Sequence, residues 1–375
     1  MILSSDQAAI RDAVRNYAQE QIRPRSAAFE AAGAFPPALF EEIAAIGLLG
    51  MTAPESSGGT GADFVSYALA LIELAAADGA LSTIVSIQNS LIVSGLLKDG
   101  TDYQKQRFLP DLIAGRMIGA FALTETDAGS DASAIRTRAV KVDGGYRLTG
   151  AKQFITSGKI AGIAIVYAVT DPDAGKRGIS GFIVPTDSEG YSVDKVEHKL
   201  GQAASDTCAI RFDGVFVPDE LRLGAEGAGY GIALSNLEAG RIGIAAQCIG
   251  MAQSALDIAI DYARDRKSFG KPIIEHQAVG FRLADQAARL EAARHLVLHA
   301  AAMKDEGLPC LKEASMAKLV ASETAESVVS AAIQTLGGYG YLEEYGVAKI
   351  YRDVRVCQIY EGTSDIQRMV IARAL

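Results

Sequence analysis

The run IAIVYAV, Ile163 to Val169, decides how this chain is read. Seven apolar residues with β-branched or aromatic side chains at every second position read as a strand. A second run, Ile179 to Val184, and the alternation of Cys208, Ile210 and Phe212 with Ala209 and Arg211 repeat the signal. Asp143-Gly144-Gly145 supplies a hairpin turn between two further runs. A β-rich segment from Ala120 to about Gly224 therefore interrupts a chain that is otherwise alanine-rich and helical in its spacing.

On the N-terminal side, Ser5 to about Gly119 predicts a bundle of helices, broken at Phe35-Pro36-Pro37 and at Glu55-Ser56-Ser57-Gly58-Gly59. On the C-terminal side, Ile242, Ala245, Ile249, Ala252, Leu256, Ala259 and Ala263 fall on one helical stripe after Tyr230. Further long helices are predicted from about Glu275 to Lys304 and from Leu311 to Thr335. The expectation is a mostly α protein with a central β domain: residues 1–119 helical, 120–225 β, 226–375 helical. Strand and helix do not alternate as a parallel sheet would require.

Composition narrows the function. With 375 residues, 49% of them hydrophobic, the chain can fill real cores. Thirty-six basic against 45 acidic residues give a net charge of −9, which argues against a nucleic-acid partner and against anionic membranes. Cys208, Cys248, Cys310 and Cys357 are widely separated, which suggests neither a disulfide framework nor a zinc site and fits a reducing, cytoplasmic setting. The N-terminus lacks the pattern of a signal or transit peptide, and no run reaches the roughly 20 uncharged apolar residues of a membrane span.

Familiar motifs are scarce. Gly224, Gly227, Gly229 and Gly231 do not have dinucleotide-loop spacing and read as a flexible connector, and Gly337-Gly338 reads as a helix end. His295 and His299 stand one helical turn apart with no third ligand, so no metal site is expected. VCQIYEGTSDIQR, Val356 to Arg368, carries a carboxylate, Glu361, beside a helix start at Thr363-Ser364, where a simple cap is the plainest reading.

Six dispersed stretches change that reading. They are Phe121 to Asp131 (FALTETDAGSD), Lys152 to Thr156 (KQFIT), Lys199-Leu200-Gly201, Arg266 to Gly270 (RKSFG), Gln334 to Gly338 (QTLGG) and Tyr360 to Ser364 (YEGTS). In this order they closely resemble the acyl-CoA dehydrogenase family over essentially the whole chain. Glu238 to Ala245 (EAGRIGIA) brings the likeness nearest to the short-chain, butyryl-CoA branch.

The resemblance implies an N-terminal helical domain, a middle β-barrel or sandwich domain and a C-terminal four-helix bundle. It further implies an FAD enzyme that oxidises an acyl-CoA thioester to its trans-2-enoyl form. Phe121, Leu123, Thr124 and Ser130 match the loop lining the flavin, Phe154 a ring beside it, and Thr156 a hydroxyl near its N5 atom. Arg266, Phe269, Gln277, Gln334, Gly337 and Gly338 match FAD contacts made largely across a subunit interface, with Thr363 and Asp365 also on the FAD side. Ser130, Glu238, Arg241 and Gly362 match positions that contact the substrate, and Glu361 matches the catalytic base. Glu238 is the rival acid, since some branches carry their base on that helix, at the position of Gly240.

A homo-oligomer, as a dimer of dimers, follows from the shared cofactor site, and an electron-transfer flavoprotein is the expected electron acceptor. Three departures stand out: Phe154 where many members place tryptophan, Ala203 where arginine is common, and Asp365 in place of Gln or Glu. Alternatives on the same fold are a dehydrogenase acting on a carrier-protein-bound acyl group and an oxygen-using flavoenzyme; a non-catalytic helical scaffold is the alternative of another kind. Gln88, Asn89 and Leu91 are expected to set the depth of the acyl pocket.

Overall fold

The computed structural model describes residues 2–375. Seven helices open the chain: α1 (Ser5–Tyr17), α2 (Ser26–Ala32), α3 (Ala38–Ala45), α4 (Phe64–Ala77), α5 (Gly79–Ile87), α6 (Ser94–Asp99) and α7 (Asp102–Ile113). Their starts are written in the sequence. Ser4 with Gln7 and Thr101 with Gln104 form capping boxes, while Asp63 and Asp78 accept backbone N–H bonds at the starts of α4 and α5. Both expected breaks fall between helices: Phe35-Pro36-Pro37 separates α2 from α3, and Glu55–Ser57 forms a 3₁₀ turn before α4. A π-helical segment, Gln88–Val93, joins α5 to α6 with all six residues buried.

The middle of the chain forms one mixed sheet: β1 (Gly119–Ala122), β2 (Arg138–Val142), β3 (Gly145–Thr156), β4 (Ile163–Val169), β5 (Ile179–Pro185), β6 (Tyr191–Val196), β7 (Thr207–Pro218) and β8 (Arg222–Leu223). The Ile163–Val169 run is central, pairing parallel to β1 and antiparallel to β5, which is why it is apolar on both faces. β2 and β3 close around Asp143-Gly144, with Gly144 at φ 71°. In β7, Cys208, Ile210 and Phe212 face inward.

Helices return with α8 (Gly229–Asp265). A two-residue strand pair, β9 (Lys267–Ser268) and β10 (Lys271–Pro272), precedes α9 (Gln277–Asp305). α10 (Leu311–Leu336), α11 (Val347–Val354) and α12 (Ser364–Arg373) complete the chain. The α8 stripe from Ile242 to Ala263 is buried throughout, and α8 packs on α10, α4 and α9. Small residues on α10, Ala314, Ala321, Ala325 and Ala332, allow that close approach.

The connector before α8 is tightly packed, contrary to its flexible reading. A Cβ at Gly227 or Gly229 would lie 2.3 Å from the Arg177 carbonyl or 2.5 Å from the Ser180 backbone. Two segments, Gly79–Asp99 and Gly229–Asp265, are long and apolar enough to cross a membrane, which the sequence reading did not anticipate. Their most apolar windows are 89% and 83% buried inside the protein, so they serve as core helices. All four cysteines are buried and unpaired.

Candidate active site

The carboxylate beside the start of α12 sits on a left-handed corner. Glu361 has φ 52° and Gly362 φ 93°, a backbone that non-glycine residues rarely adopt. Neighbouring side chains hold it there. Lys318 Nζ donates to the Gly362 carbonyl at 2.8 Å, and Gln367 Nε2 donates to the carbonyls of Glu361 at 3.2 Å and Gly362 at 2.9 Å. The Tyr360 hydroxyl donates to Gln247 Oε1 at 2.6 Å. The cap reading is also correct, because Thr363 Oγ1 accepts from the Ile366 N–H at 3.3 Å and starts α12.

Glu361 Oε2 is cut off from solvent and has no hydrogen-bond partner. It fills the gap left by Gly240, where a Cβ would lie 2.1 Å away. Burial pushes the Glu361 carboxyl up to about 7, with Lys318 and Arg241 pulling the other way. A base with this affinity for protons is half ionised near neutrality, the range in which general-base catalysis is most effective.

Glu238, two residues from Gly240 on α8, is committed elsewhere. It accepts from Lys304 Nζ at 3.1 Å and from Cys310 Sγ at 3.4 Å. Arg241 is 6% exposed, reaches only Ser315 Oγ at 3.4 Å, and leaves its Nε unsatisfied. Among the described residues, nine buried polar side chains have an atom without a partner; six of them, Asn236 and Arg241 on α8 and Arg355, Glu361, Ser364 and Gln367 on the 355–367 segment, lie on two stretches of the chain. Each unmet polar group in a native fold calls for an explanation, and an unbound ligand is one.

The Phe121–Asp131 loop is pinned from below. Glu125 accepts from the backbone N–H groups of Arg136 at 2.6 Å and Thr137 at 3.0 Å. Lys152 Nζ, fully buried, donates to Glu125 at 2.8 Å and to the Leu123 carbonyl at 2.9 Å. Burial lowers the Lys152 ammonium to about 8 against the pull of Glu125. Phe121 packs on Tyr167, Leu123 is buried, Thr124 is half-buried with its carbonyl taking the Gln153 N–H, and Ser130 is exposed. Above this loop β3 bulges between Lys152 and Ile155, which turns Phe154 outward at φ 59° and 63% exposed. Half-buried Thr156 follows, and the next residue, Ser157, has a buried hydroxyl without a partner.

The second group gathers at the far end of α8. Arg266 lines a concavity of about 450 Å³ together with Tyr262, Gly337, Gly338 and Tyr339. Gly337, at φ 64°, ends α10, and neither glycine would place a Cβ within 4 Å of a neighbour, so the cradle wall is open backbone. Phe269 tips the β9–β10 turn at φ 50° and is 97% exposed, an aromatic ring with almost no cover from its own chain. Gln277, Gln334 and Asp365 are exposed. No hydrogen bond or ring contact among the described residues joins this group to Phe121–Thr156.

Other residues singled out in the sequence also find their places. The Gln88 and Asn89 amides are spent on backbone groups of Gly119, Leu48, Val85 and Met51, which braces this segment. Leu91 belongs to the core shared with the sheet. Gly201 is glycine because a Cβ there would lie 2.3 Å from the Arg352 backbone. No group of three His, Cys, Asp or Glu side chains suited to a metal exists among the described residues. Lys318, Gln367, Gln247 and Tyr67 escaped the sequence reading. Lys318 had a legible signal, as a charge within the small buried stripe of Ala314, Ala321 and Ala325.

A mostly exposed ring on a strained backbone, an arginine beside an open glycine wall, and an ionisable acid without a partner are compatible with a planar, phosphate-bearing redox group, and family membership makes the protein a flavin-dependent oxidoreductase. The chain belongs to the acyl-CoA dehydrogenase family, whose N-terminal, middle and C-terminal domain models match residues 4–116, 120–215 and 227–375. It is an FAD-dependent oxidoreductase acting on CH–CH bonds.

An acyl-CoA dehydrogenase of Bacillus subtilis (strain 168) is 46% identical over all of this chain and 99% of its own length. The caffeyl-CoA reductase-Etf complex subunit CarC of Acetobacterium woodii is 44% identical over 100% of this chain and 99% of its own. The structure of butyryl-CoA dehydrogenase from Megasphaera elsdenii superposes with a TM-score of 0.97 at 41% identity, covering 100% of this chain and 99% of that one.

Proposed function

We propose that the protein dehydrogenates a short-chain acyl-CoA thioester to the trans-2-enoyl thioester, with Glu361 as base, and passes the electrons to an electron-transfer flavoprotein. The observation that carries this reading is the half-buried Glu361 side chain, its Oε2 cut off from solvent and unpartnered in the gap left by Gly240, with its carboxyl pushed up to about 7. The α-hydrogen of a thioester is a weak acid, so a dry carboxylate without competing hydrogen-bond donors is suited to remove it. Glu361 takes the α-proton on Oε2, and the backbone N–H of the same residue stabilises charge developing on the thioester oxygen. FAD, when bound, supplies the acceptor for the β-hydrogen as hydride.

Phe121, Leu123, Thr124, Phe154 and Thr156 would hold the flavin end of FAD, with Thr363 and Asp365 also on the FAD side. Arg266, Phe269, Gln277, Gln334, Gly337 and Gly338 would complete the site from a second subunit. The exposure of Phe269 supports such sharing, hence a homo-oligomer. Ser130, Glu238, Arg241 and Gly362 would contact the CoA thioester. The names of the Megasphaera and Acetobacterium relatives support the short acyl-CoA and the Etf partner respectively.

The test is anaerobic flavin bleaching by butyryl-CoA. Glu361→Gln should bleach about 10² to 10⁴-fold more slowly while still binding FAD and substrate, and Glu238→Gln should chiefly raise KM. Bleaching by Glu361→Gln at the wild-type rate overturns the assignment. A carrier-protein-bound acyl group turning over faster than butyryl-CoA would move the substrate, and peroxide release in air would move the acceptor.

A further inference from the structure

Lys318 is the least expected charge in the molecule. It lies on α10 with no exposed surface, in a stripe otherwise made of small residues. It forms no ion pair closer than 4.0 Å with any described carboxylate, and its hydrogen bond goes to a carbonyl, that of Gly362. Burying an ammonium without a paired anion costs several kcal/mol, so its persistence calls for a reason.

The surroundings supply one. The Gly362 carbonyl accepts from two side chains, Lys318 at 2.8 Å and Gln367 at 2.9 Å, and Gln367 also reaches the Glu361 carbonyl at 3.2 Å. Both carbonyls of the left-handed corner are thereby drawn away from the carboxylate, which is left facing Gly240. A β-turn corner with non-glycine at φ 52° relaxes unless something holds it. Charged and titratable groups face this corner from each helix packed on it: Lys318 from α10, Arg241 from α8 and the Tyr67 phenol from α4, with the thiols of Cys248 and Cys357 facing Lys318 itself. Arg241 is shared with Glu238, whereas Lys318 has no other carboxylate to serve.

We propose that Lys318 is a positioning residue for proton abstraction: with Gln367 it fixes the Glu361–Gly362 corner, and, unlike Gln367, it also brings a buried positive charge that joins Arg241 in favouring the ionised base there. The two residues divide the task. Gln367 holds geometry without charge, and Lys318 supplies both.

This inference rests on Glu361 being the base, and the experiment separates the two. Flavin reduction by butyryl-CoA is followed against pH in the holoenzyme for wild type, Lys318→Met, Gln367→Met and Glu361→Gln. Alongside it, the protonated-carboxyl infrared band that Glu361→Gln lacks is titrated without substrate. Lys318→Met should move the acid limb and the infrared midpoint upward by about 1 unit or more, because an opposite charge nearby has been removed. Its rate should fall with KM little changed, and raising the pH should restore part of the loss. Gln367→Met should lower kcat about tenfold with the limb unmoved, since only geometry is lost.

A purely structural lysine would reduce flavin content or thermal stability without moving the limb. An unmoved limb and midpoint in Lys318→Met, with Glu361→Gln inactive, overturns the inference and leaves the base in place. Should Lys318→Met not fold, wild-type kcat in Gln367→Met overturns the clamp by itself. Wild-type bleaching in Glu361→Gln would instead sink the base assignment.

Discussion

Gly240→Ala tests the geometry of the site with a single methyl group. The new Cβ would lie 2.1 Å from Glu361 Oε2, 3.0 Å from Cδ and 3.3 Å from Oε1. Ordinary contact begins at 3.4 Å, so the nearest oxygen must retreat by 3.4 − 2.1 = 1.3 Å. The helix itself loses nothing: Gly240 has ordinary helical φ in the middle of α8, and alanine is favoured there by about 1 kcal/mol. The clash is therefore relieved by the carboxylate, the far end of a flexible side chain. A displacement of about 1 Å at the reacting group costs roughly 10²-fold in rate.

The expected result is a folded, yellow protein with unchanged or raised Tm whose flavin bleaches about 10²-fold more slowly with butyryl-CoA. Gly231→Ala, on the same helix with nothing within 4 Å of its Cβ, is the control and should bleach normally. If Gly240→Ala also bleaches at the wild-type rate, either the carboxylate does not occupy that gap during turnover or it is not the base.

Three further outcomes follow from the same contacts. Glu361 titrates near 7 when folded, above its ordinary 4.5, so its contribution to stability is present below about pH 4.5 and is lost as pH rises through 7; Glu361→Gln should stabilise the protein by about 1–3 kcal/mol at pH 8 and little at pH 4, as read from denaturant midpoints. Lys152→Met leaves Glu125 buried without its cation and should cost about 3–5 kcal/mol, with FAD lost on gel filtration because the Phe121–Asp131 loop loosens; unchanged Tm would refute the pinning role. Arg266→Ala should weaken both flavin retention and oligomer stability, and an unchanged FAD content with unchanged assembly size would count against a shared site.

Much of the architecture was legible because it rests on local rules. Alternation and the Asp143-Gly144 turn gave the hairpin and β7, capping residues gave the helix starts, and the Ile242–Ala263 stripe gave the buried face of α8. Motif order was enough to single out Glu361. What spacing could not convey is how the helical thirds meet. One core joins α4 and α5 to α8, α9 and α10 across more than a hundred residues, while Ile87 to Leu96 and α7 pack with the sheet instead. Pockets follow those long-range contacts, so Gln88 and Asn89, polar and near the expected pocket in sequence, turned out to brace backbone.

The sequence by itself determined the elements and their order and pointed to the candidate acid, since each depends on residues within a few positions of one another or on a motif carried intact. Only the tertiary structure decided what that acid can do. Its proton affinity depends on desolvation, on the absence of a side chain at Gly240, and on two cations, Lys318 and Arg241, brought to it from 361 − 318 = 43 and 361 − 241 = 120 residues away along the chain. Desolvation and Coulomb interaction act through space and fall with distance, not with separation along the chain, so no local pattern records them.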